Sequence, residues 1–283
     1  MKRIALLAVV ASLAVPQAHA ALWLKSLPAA QKQAKENDSL IFVDLFADWC
    51  GWCHQLEQQV FPSEVFQKAT KDHVLLRLNT EDGADGTKLS QQYQVTSLPT
   101  SVLMTHDGMV VGLIKGFLPP DRMVEAIKDL ESKWGEFQKR AANEKSFAKD
   151  YQKRLDLARD FRGHYAYGKS VVRLKKLVSE PNVPGMIRDQ AFFDLAVTQF
   201  LDKKFDDSLK TIRDFAKVQT AGEQLERSLV LAGEVYYAQG NFLAAANELR
   251  SFRSKFPQSP LVAQVNLMLP EVERRLTGSG RVQ

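Results

Sequence analysis

The sequence predicts a domain built on a mixed β-sheet with flanking helices, followed by an all-α domain of helical repeats. In residues 21–133, apolar runs typical of buried strands alternate with helical patterns and end in a hairpin and a helix. From about residue 140 onward the spacing is helical only, and one aromatic–small–apolar pattern recurs. A chain of 283 residues has room for about two such domains.

The first half is predicted to follow the order α-β-α-β-α-β-β-α. Its helices are expected at 28–36, 50–60, 87–93 and 119–131, with a further helical turn or two over 64–69, and its strands at 40–46, 73–78, 100–104 and 109–115. Pro62 interrupts the second helix, because proline cannot continue a helical hydrogen-bond ladder. His106-Asp107-Gly108 is a turn signal between the last two strands. A central sheet covered on both faces follows from this order.

The second half contains one spacing three times: an aromatic residue, a small residue three positions later and an apolar residue four positions after that. The offsets between copies are 38 and 37 residues. The copies are Tyr167-Ser170-Leu174, Phe205-Ser208-Ile212 and Phe242-Ala245-Leu249. The last copy resembles a tetratricopeptide repeat (TPR), although the period exceeds that family's roughly 34 residues. Independent helical hairpins are the alternative.

The start of the chain has the pattern of a cleaved secretory signal. A basic start is followed by an apolar run over 4–15 and by Ala18-His19-Ala20. The run is too short to span a bilayer, which takes about 20 residues; a buried N-terminal helix is the alternative. We therefore predict a periplasmic protein that begins near Ala21 and does not span the membrane after signal cleavage.

The predicted organisation has five segments. They are a signal peptide over 1–20, the α/β domain over 21–133, a linking helix over 134–150, the helical domain over 151–278 and a flexible tail over 279–283. Residues 21–133 hold 11 basic and 15 acidic residues, and 134–283 hold 25 and 18. Because the basic residues alternate with acidic ones along helical patterns, a solvated surface is favoured and no nucleic-acid partner is expected.

The chain has two cysteines, Cys50 and Cys53, which excludes a multi-disulfide scaffold and a four-cysteine zinc site. A disulfide that closes so short a loop stabilises the fold little, so a redox role explains the pair better than a structural role does. At a helix start, unpaired N–H groups and the helix dipole lower a thiol pKa. Cys50 is expected to be the exposed, acidic thiol and Cys53 the more buried one. A zinc site that includes His54, a Cu(I) site and a structural bridge are the alternatives, and no metal is predicted.

The segment Val43–Cys53 (VDLFADWCGWC), together with Ser97-Leu98-Pro99-Thr100, resembles the active-site region of the thioredoxin superfamily. Residues 38–130 are similar to the C-terminal periplasmic domain of the thiol:disulfide interchange (DsbD) proteins, which share the acidic residue before WCxxC and the HQLEQQVFPSEVF-type continuation. The resemblance implies a thioredoxin fold and a thiol–disulfide oxidoreductase with Cys50 and Cys53 as its redox-active pair.

The resemblance also implies roles for three further residues. Pro99 would follow a cis peptide bond and face the cysteines, and Leu98 would offer its backbone to an extended substrate. Asp44 would be a buried carboxylate beneath Cys53 that accepts its proton. A trans proline and an aspartate satisfied by backbone donors are the alternatives.

Four more residues surround the motif. Trp49 is expected beside the site, and Trp52 either docks substrate or shields the disulfide. Glu57 would tune the pair, or is an exposed helix residue; His54 would stabilise the thiolate, or faces solvent. Trp52 departs from the Gly-Pro of thioredoxin between the cysteines, which leaves the direction of electron flow open.

The function we expect is reduction of disulfides in client proteins, within periplasmic redox homeostasis. A membrane electron donor of the DsbD type is expected because the sequence has no nucleotide-binding fingerprint, and no cofactor is predicted. The helical repeats would recruit a protein partner. The alternatives are a disulfide oxidase or isomerase, a thiol reductant for copper or cytochrome maturation, and a TPR-type binding scaffold on a thioredoxin platform.

Overall fold

A computed structural model describes residues 22–278, so the predicted signal peptide and tail lie outside the described residues. The described chain divides into two compact units. One contains the residues up to Ser101 together with Lys115–Val124, and the other contains Val102–Ile114 together with the residues from Glu125 onward.

The predicted order of elements in the first half is confirmed. The helices are α1 (Leu27–Asn37), α2 (Gly51–Gln55), α3 (Glu64–Ala69), α4 (Asp85–Gln92) and α5 (Pro120–Ala142), and the strands are β1 (Ile41–Phe46), β2 (Val74–Asn79), β3 (Thr100–Met104) and β4 (Val110–Lys115). The strands lie in the order β2-β1-β3-β4. The fold class predicted for this part, a sheet with flanking helices, is therefore correct.

Strand β1 runs parallel to β2, with Ile41 opposite Val74 and Phe46 opposite Asn79. Five of the six β1 residues are buried, as expected of a central strand covered on both faces. The same register places Asp44 opposite Arg77. The single charged residue of β1 therefore lies opposite the single charged residue of β2.

The helix that carries the cysteines changes its winding along its length. After α2, the segment Leu56–Val60 is a π-helical turn. Helix α3 then starts afresh after Pro62, and the Ser63 hydroxyl accepts a hydrogen bond from the Phe66 N–H at 3.4 Å. Pro62 therefore separates the two helices at the predicted point.

Helix α5 is longer than the sequence pattern suggests. It was expected to end at Glu131 but continues to Ala142, so residues 134–142 extend the same helix and the turn Glu144–Phe147 follows. Trp134 and Phe137 are buried on this extension, and their rings pack against His164 with centroids 5.1 and 4.3 Å away. Buried aromatic area explains why the helix does not stop earlier.

Residues from Tyr151 onward are helical and contain no strand within the described chain. The helices are α6 (Tyr151–Gly163), α7 (Tyr167–Ser179), α8 (Gly185–Leu201), α9 (Phe205–Val218), α10 (Glu223–Ala238), α11 (Phe242–Lys255) and α12 (Val262–Gly278). The prediction of a helical second half is confirmed.

The recurring spacing marks the start of alternate helices. Tyr167, Phe205 and Phe242 are the first residues of α7, α9 and α11. The small residues lie at the contacts within each helix pair: the Ser170 hydroxyl donates to the Ala158 carbonyl at 2.7 Å, and the Ser208 hydroxyl donates to the Ala196 carbonyl at 2.8 Å. The identification of these pairs as TPR units stays a prediction.

Candidate active site

Cys50 and Cys53 form a disulfide with an S–S distance of 2.09 Å and a Cα–Cα distance of 5.3 Å. Cys50 is the residue that caps the start of α2, and its Sγ accepts a hydrogen bond from the Cys53 N–H at 3.2 Å. A sulfur in this position faces the positive end of the helix backbone, which favours a thiolate over a thiol.

The disulfide lies in a small apolar cluster. Ala47, Cys50 and Cys53 are buried together, and the partly buried Phe46 and Leu98 pack against them. Cys53 is 0% exposed and is the more buried of the two, as expected, but Cys50 is only 4% exposed and is therefore itself buried in the disulfide form. Sulfur chemistry here requires a partner that gains access to the Cys50 sulfur.

The peptide bond between Leu98 and Pro99 is cis, as the resemblance implied. Leu98 contacts the disulfide cluster, and the Pro99 carbonyl accepts a hydrogen bond from the Gly116 N–H at 2.8 Å. This bond ties the segment before β3 to the end of β4. The substrate-binding role of Leu98 and Pro99 stays a prediction.

Asp44 is completely buried on β1. Its Oδ2 accepts a hydrogen bond from Arg77 Nε at 3.1 Å, so its partner is a side chain and not the backbone donors of the alternative interpretation. Among the described residues, no donor reaches Oδ1. Burial raises the pKa of Asp44 to about 7, even though the Arg77 charge and hydrogen bond act to lower it.

Arg77 connects Asp44 to the acidic residue after the cysteines. Its Nη1 donates to Glu57 Oε1, and this hydrogen bond is the main reason why the pKa of Glu57 is lowered. Its guanidinium also lies over the Phe46 ring, 4.2 Å from the centroid. The sequence analysis missed Arg77, although a lone cation in an apolar strand beside a strand with a lone carboxylate was an available signal.

His54 extends this row of charged groups to the surface. Its Nδ1 lies 3.8 Å from Glu57 Oε2, and its Nε2 lies 3.0 Å from the Asp48 carbonyl oxygen. The side chain is about half exposed, so the structure places His54 next to Glu57 at the rim.

Two indole rings stand on either side of Cys50 in the sequence, and both are exposed. Trp49 is 70% exposed and Trp52 62%. Trp49 Nε1 donates to Glu81 Oε1 at 2.9 Å, and the Trp52 ring lies on Phe117 with centroids 5.5 Å apart and planes at 35°. Glu81 and Phe117 were not predicted, because both come from loops distant in sequence.

A cavity of about 620 Å³ opens beside the charged row. Phe46, Glu57 and Arg77 line its inner side, and Trp23, Lys25 and Phe61 are among the residues that complete it. Arg77 is thus the group that lies between the cavity and Asp44.

Residues 22–278 contain no cluster of three or more histidine, cysteine, aspartate or glutamate side chains arranged to hold a metal ion. None of the helices in the same range has the length and apolar character needed to cross a membrane.

Comparison with known proteins agrees with this geometry. Residues 27–131 match the family model of the thioredoxin-like domain. The DsbD protein of Pasteurella multocida is 30% identical over 105 residues, which cover 36% of this chain and 18% of that protein. The DsbD protein of Pseudomonas fluorescens is 36% identical over 83 residues, covering 29% and 14%. The alignments thus span less than a fifth of either relative.

Two solved structures are among those to which this chain is similar over part of its length. The C-terminal domain of Neisseria meningitidis DsbD in the oxidised form is 18% identical, with a TM-score of 0.34, and the alignment covers 38% of this chain and 98% of that domain. A putative disulphide-isomerase from Bacteroides thetaiotaomicron is 32% identical, with a TM-score of 0.36 and coverage of 40% and 93%.

The segment that matches the thioredoxin-like family model contains the disulfide-bonded Cys50–Cys53 pair. Residues 27–131 are therefore similar to a thioredoxin-like domain and to part of the DsbD proteins, as the sequence resemblance indicated.

Proposed function

We propose that this protein reduces disulfide bonds in client proteins of the bacterial periplasm, using the Cys50–Cys53 pair. The single observation that carries the proposal is the disulfide at the start of α2, with the Cys50 sulfur bonded to the Cys53 N–H. The same N–H remains in place to stabilise a Cys50 thiolate once the disulfide is reduced.

The exchange proceeds in two balanced steps. The Cys50 thiolate attacks one sulfur of the client disulfide, and the second client sulfur leaves as a thiolate that takes up a proton from water. The Cys53 thiolate then attacks the Cys50 sulfur of the mixed disulfide. This step forms the Cys50–Cys53 bond and releases the first client thiolate, so two electrons pass from the protein to the client.

Asp44 is the proposed acceptor of the Cys53 proton. Its carboxyl has a pKa raised by burial to about 7, which allows it to take up and release a proton near neutral pH. Arg77 and Glu57 are the proposed positioning residues, because Arg77 holds one Asp44 oxygen and is itself held by Glu57.

The redox potential tests the direction of the reaction. We expect the pair, equilibrated with glutathione, to have a potential nearer to the roughly −270 mV of a reductant such as thioredoxin than to the roughly −120 mV of an oxidant such as DsbA. A potential near the second value would assign the protein to the oxidases instead.

Cysteine variants test the mechanism. Cys50→Ser should abolish disulfide exchange, because the remaining thiol, Cys53, is completely buried and out of reach of a client disulfide. Cys53→Ala should keep the first step and accumulate a mixed disulfide on Cys50, which can be isolated without reductant and its client identified. Disulfide exchange that survives in Cys50→Ser would show that the proposed nucleophile is wrong.

The predicted signal peptide and the similarity to DsbD proteins support a periplasmic location and a membrane electron donor of the DsbD type. Fusion of residues 1–20 to a reporter that is active only after export tests the location. Recovery of the Cys50–Cys53 dithiol in membranes with and without the donor tests the electron source.

A groove in the helical unit supports partner recruitment. A cavity of about 290 Å³ is lined by side chains of α8 and α10, which include the apolar Val197, Phe200 and Leu231 and the charged Arg227 and Glu234. Phe200→Asp should release a protein partner bound there while reduction of a small disulfide stays unchanged. Equal binding by this variant would rule out the groove as the recruiting surface.

A further inference from the structure

The two indoles beside Cys50 are exposed, unlike the aromatic rings in the core of the same unit. Phe42, Phe61 and Phe66 are at most 6% exposed, whereas Trp49 and Trp52 are 70% and 62% exposed. Exposed aromatic rings next to a reactive group indicate a contact surface, because such rings dominate the energy of recognition.

The indoles are held by chemically different partners. Trp49 donates to the Glu81 carboxylate, whereas Trp52 lies on the apolar ring of Phe117. Glu81 follows β2 and Phe117 follows β4, and these are the two outer strands of the sheet. The two rings therefore contact residues that follow opposite outer strands of the sheet.

Negative charge accumulates on the Trp49 side. Asp48, Glu81 and Asp82 are all exposed, and Glu81 uses one oxygen for the indole and leaves the other free to accept. The Asp82 carboxylate accepts from the N–H groups of Ala84, Gly86 and Thr87, which fix the loop that presents Glu81. A cationic side chain would meet a preformed acidic site there.

The Trp52 side is apolar. The Phe117 ring supports the Trp52 ring on a loop that the Gly116–Pro99 hydrogen bond holds next to the cis-proline segment. A large apolar side chain on this pair would remove ring surface from water, and aromatic pairs add a specific contribution beyond area.

We propose that these unlike surfaces select the client: an extended segment whose cysteine has a lysine or arginine on one side and a large apolar residue on the other. In an extended chain, side chains two positions apart share a face, so the selected residues lie two positions before and two after the cysteine. The inference rests on the proposed function, because it concerns the client of that same thiol exchange.

The test uses the full-length reduced protein and peptides in which one cysteine is disulfide-bonded to a small thiol. The peptides carry Lys and Phe at the two flanking positions, in both orders, or Glu and Phe, or Ala at both. We expect the better Lys/Phe order to react about threefold or more faster than its Glu/Phe counterpart and than the Ala peptide. The advantage of Lys over Glu should shrink as the salt concentration rises.

Two variants assign the selectivity to its sources. Glu81→Gln keeps an oxygen for the indole N–H but removes the charge, and should abolish the preference for Lys over Glu. Phe117→Ala should abolish the preference for Phe over Ala. The matched controls are Asp72→Asn, an exposed acid just before β2, and Val65→Ala, an exposed apolar residue on α3; neither should change selectivity.

Reduction of a small uncharged disulfide distinguishes a failure of the proposed function from a failure of the client inference. If the wild-type protein does not reduce it, the proposed function is wrong. If the protein reduces it but reacts equally with all peptides, or if Glu81→Gln and Phe117→Ala keep the full selectivity, the client inference alone is overturned.

Discussion

At the residue scale, the proposed chemistry depends on a carboxyl group whose burial disfavours its ionised form. Asp44 lies in the middle of an apolar strand, where burial disfavours the ionised form, and a single cation offsets part of that effect. The same cation holds Glu57 in its charged form. Arg77 thus lowers the pKa of both carboxyl groups, and the burial of Asp44 is what makes their protonation differ.

The raised pKa of Asp44 predicts a pH-dependent loss of stability. The unfolded carboxyl ionises near pH 4, whereas the folded one ionises near pH 7, so the unfolded state is increasingly favoured as pH rises between these values. The cost reaches about 4 kcal/mol above pH 7, at 1.36 kcal/mol for each pKa unit. Asp44→Asn removes this cost, so its stability relative to wild type should rise from pH 4 to pH 8.

Urea unfolding of both oxidised proteins at the two pH values measures this difference. The comparison across pH cancels any constant penalty of placing an amide opposite Arg77. Equal pH dependence in the two proteins would mean that Asp44 ionises normally in the fold.

Substitution of Arg77 should raise the pKa of Asp44 further. Arg77→Met removes the charge and the hydrogen bond that lower the pKa of Asp44, so that pKa should rise above about 7. Carboxyl chemical shifts in the oxidised protein measure it without any contribution from thiols. Glu57→Gln, which leaves Arg77 beside Asp44, serves as the comparison and should shift the Asp44 pKa by less.

At the element scale, the strands and most helices follow from local patterns. β1 and β2 are apolar runs with one charged residue each, and α3 begins at the serine after Pro62. The π-helical turn after α2 and the length of α5 were not predictable, because both depend on what the helix packs against. The extension of α5 is fixed by Trp134 and Phe137, whose burial partner, His164, comes from a later loop.

The helical repeat makes an element-scale prediction at Gly233. A Cβ at this position would lie 2.6 Å from Leu249 Cδ2 and 2.8 Å from Cγ, so α10 and α11 approach too closely for alanine. Gly233→Ala should therefore destabilise the protein by about 1–3 kcal/mol. Gly135→Ala is the matched control: no atom lies within 4 Å of its Cβ, and removing a helical glycine should stabilise by about 0.5–1 kcal/mol.

Chemical denaturation of the two alanine variants measures both the expected loss of stability in Gly233→Ala and the expected gain in Gly135→Ala. A Gly233→Ala protein as stable as Gly135→Ala would show that α10 and α11 do not pack at the distance described.

At the scale of the whole molecule, the residues proposed to react were predictable, and most of the residues that contact them were not. Cys50, Cys53, Asp44 and the cis peptide before Pro99 belong to two short segments that a motif reveals. Glu81 and Phe117 reach the site only because the sheet brings the ends of its outer strands to it. Contacts of this kind leave no local periodicity, so a single sequence does not reveal them.

The β3–β4 hairpin leads to the last prediction, because its contacts extend past the predicted domain boundary at residue 133. The Val110 N–H donates to the His164 carbonyl at 3.0 Å, His164 Nδ1 lies 2.6 Å from the Val110 carbonyl oxygen, and Lys169 Nζ lies 3.2 Å from Asp107 Oδ2. A fragment of residues 22–133 lacks these partners, whereas a fragment of residues 22–180 retains them.

We therefore expect residues 22–133 to melt at a lower temperature than residues 22–180. Each kcal/mol lost lowers the melting temperature of a domain of this size by about 4–8 °C. Circular dichroism melts of the two fragments and of the full chain make the comparison, with His164→Ala in the full chain isolating the contribution of one side chain to β4. Identical melting temperatures for the two fragments would establish residue 133 as an independent boundary. A lower value for the shorter one would mean that the sheet depends on the first helix pair for part of its stability, because its edge strand β4 is completed by the turn between α6 and α7.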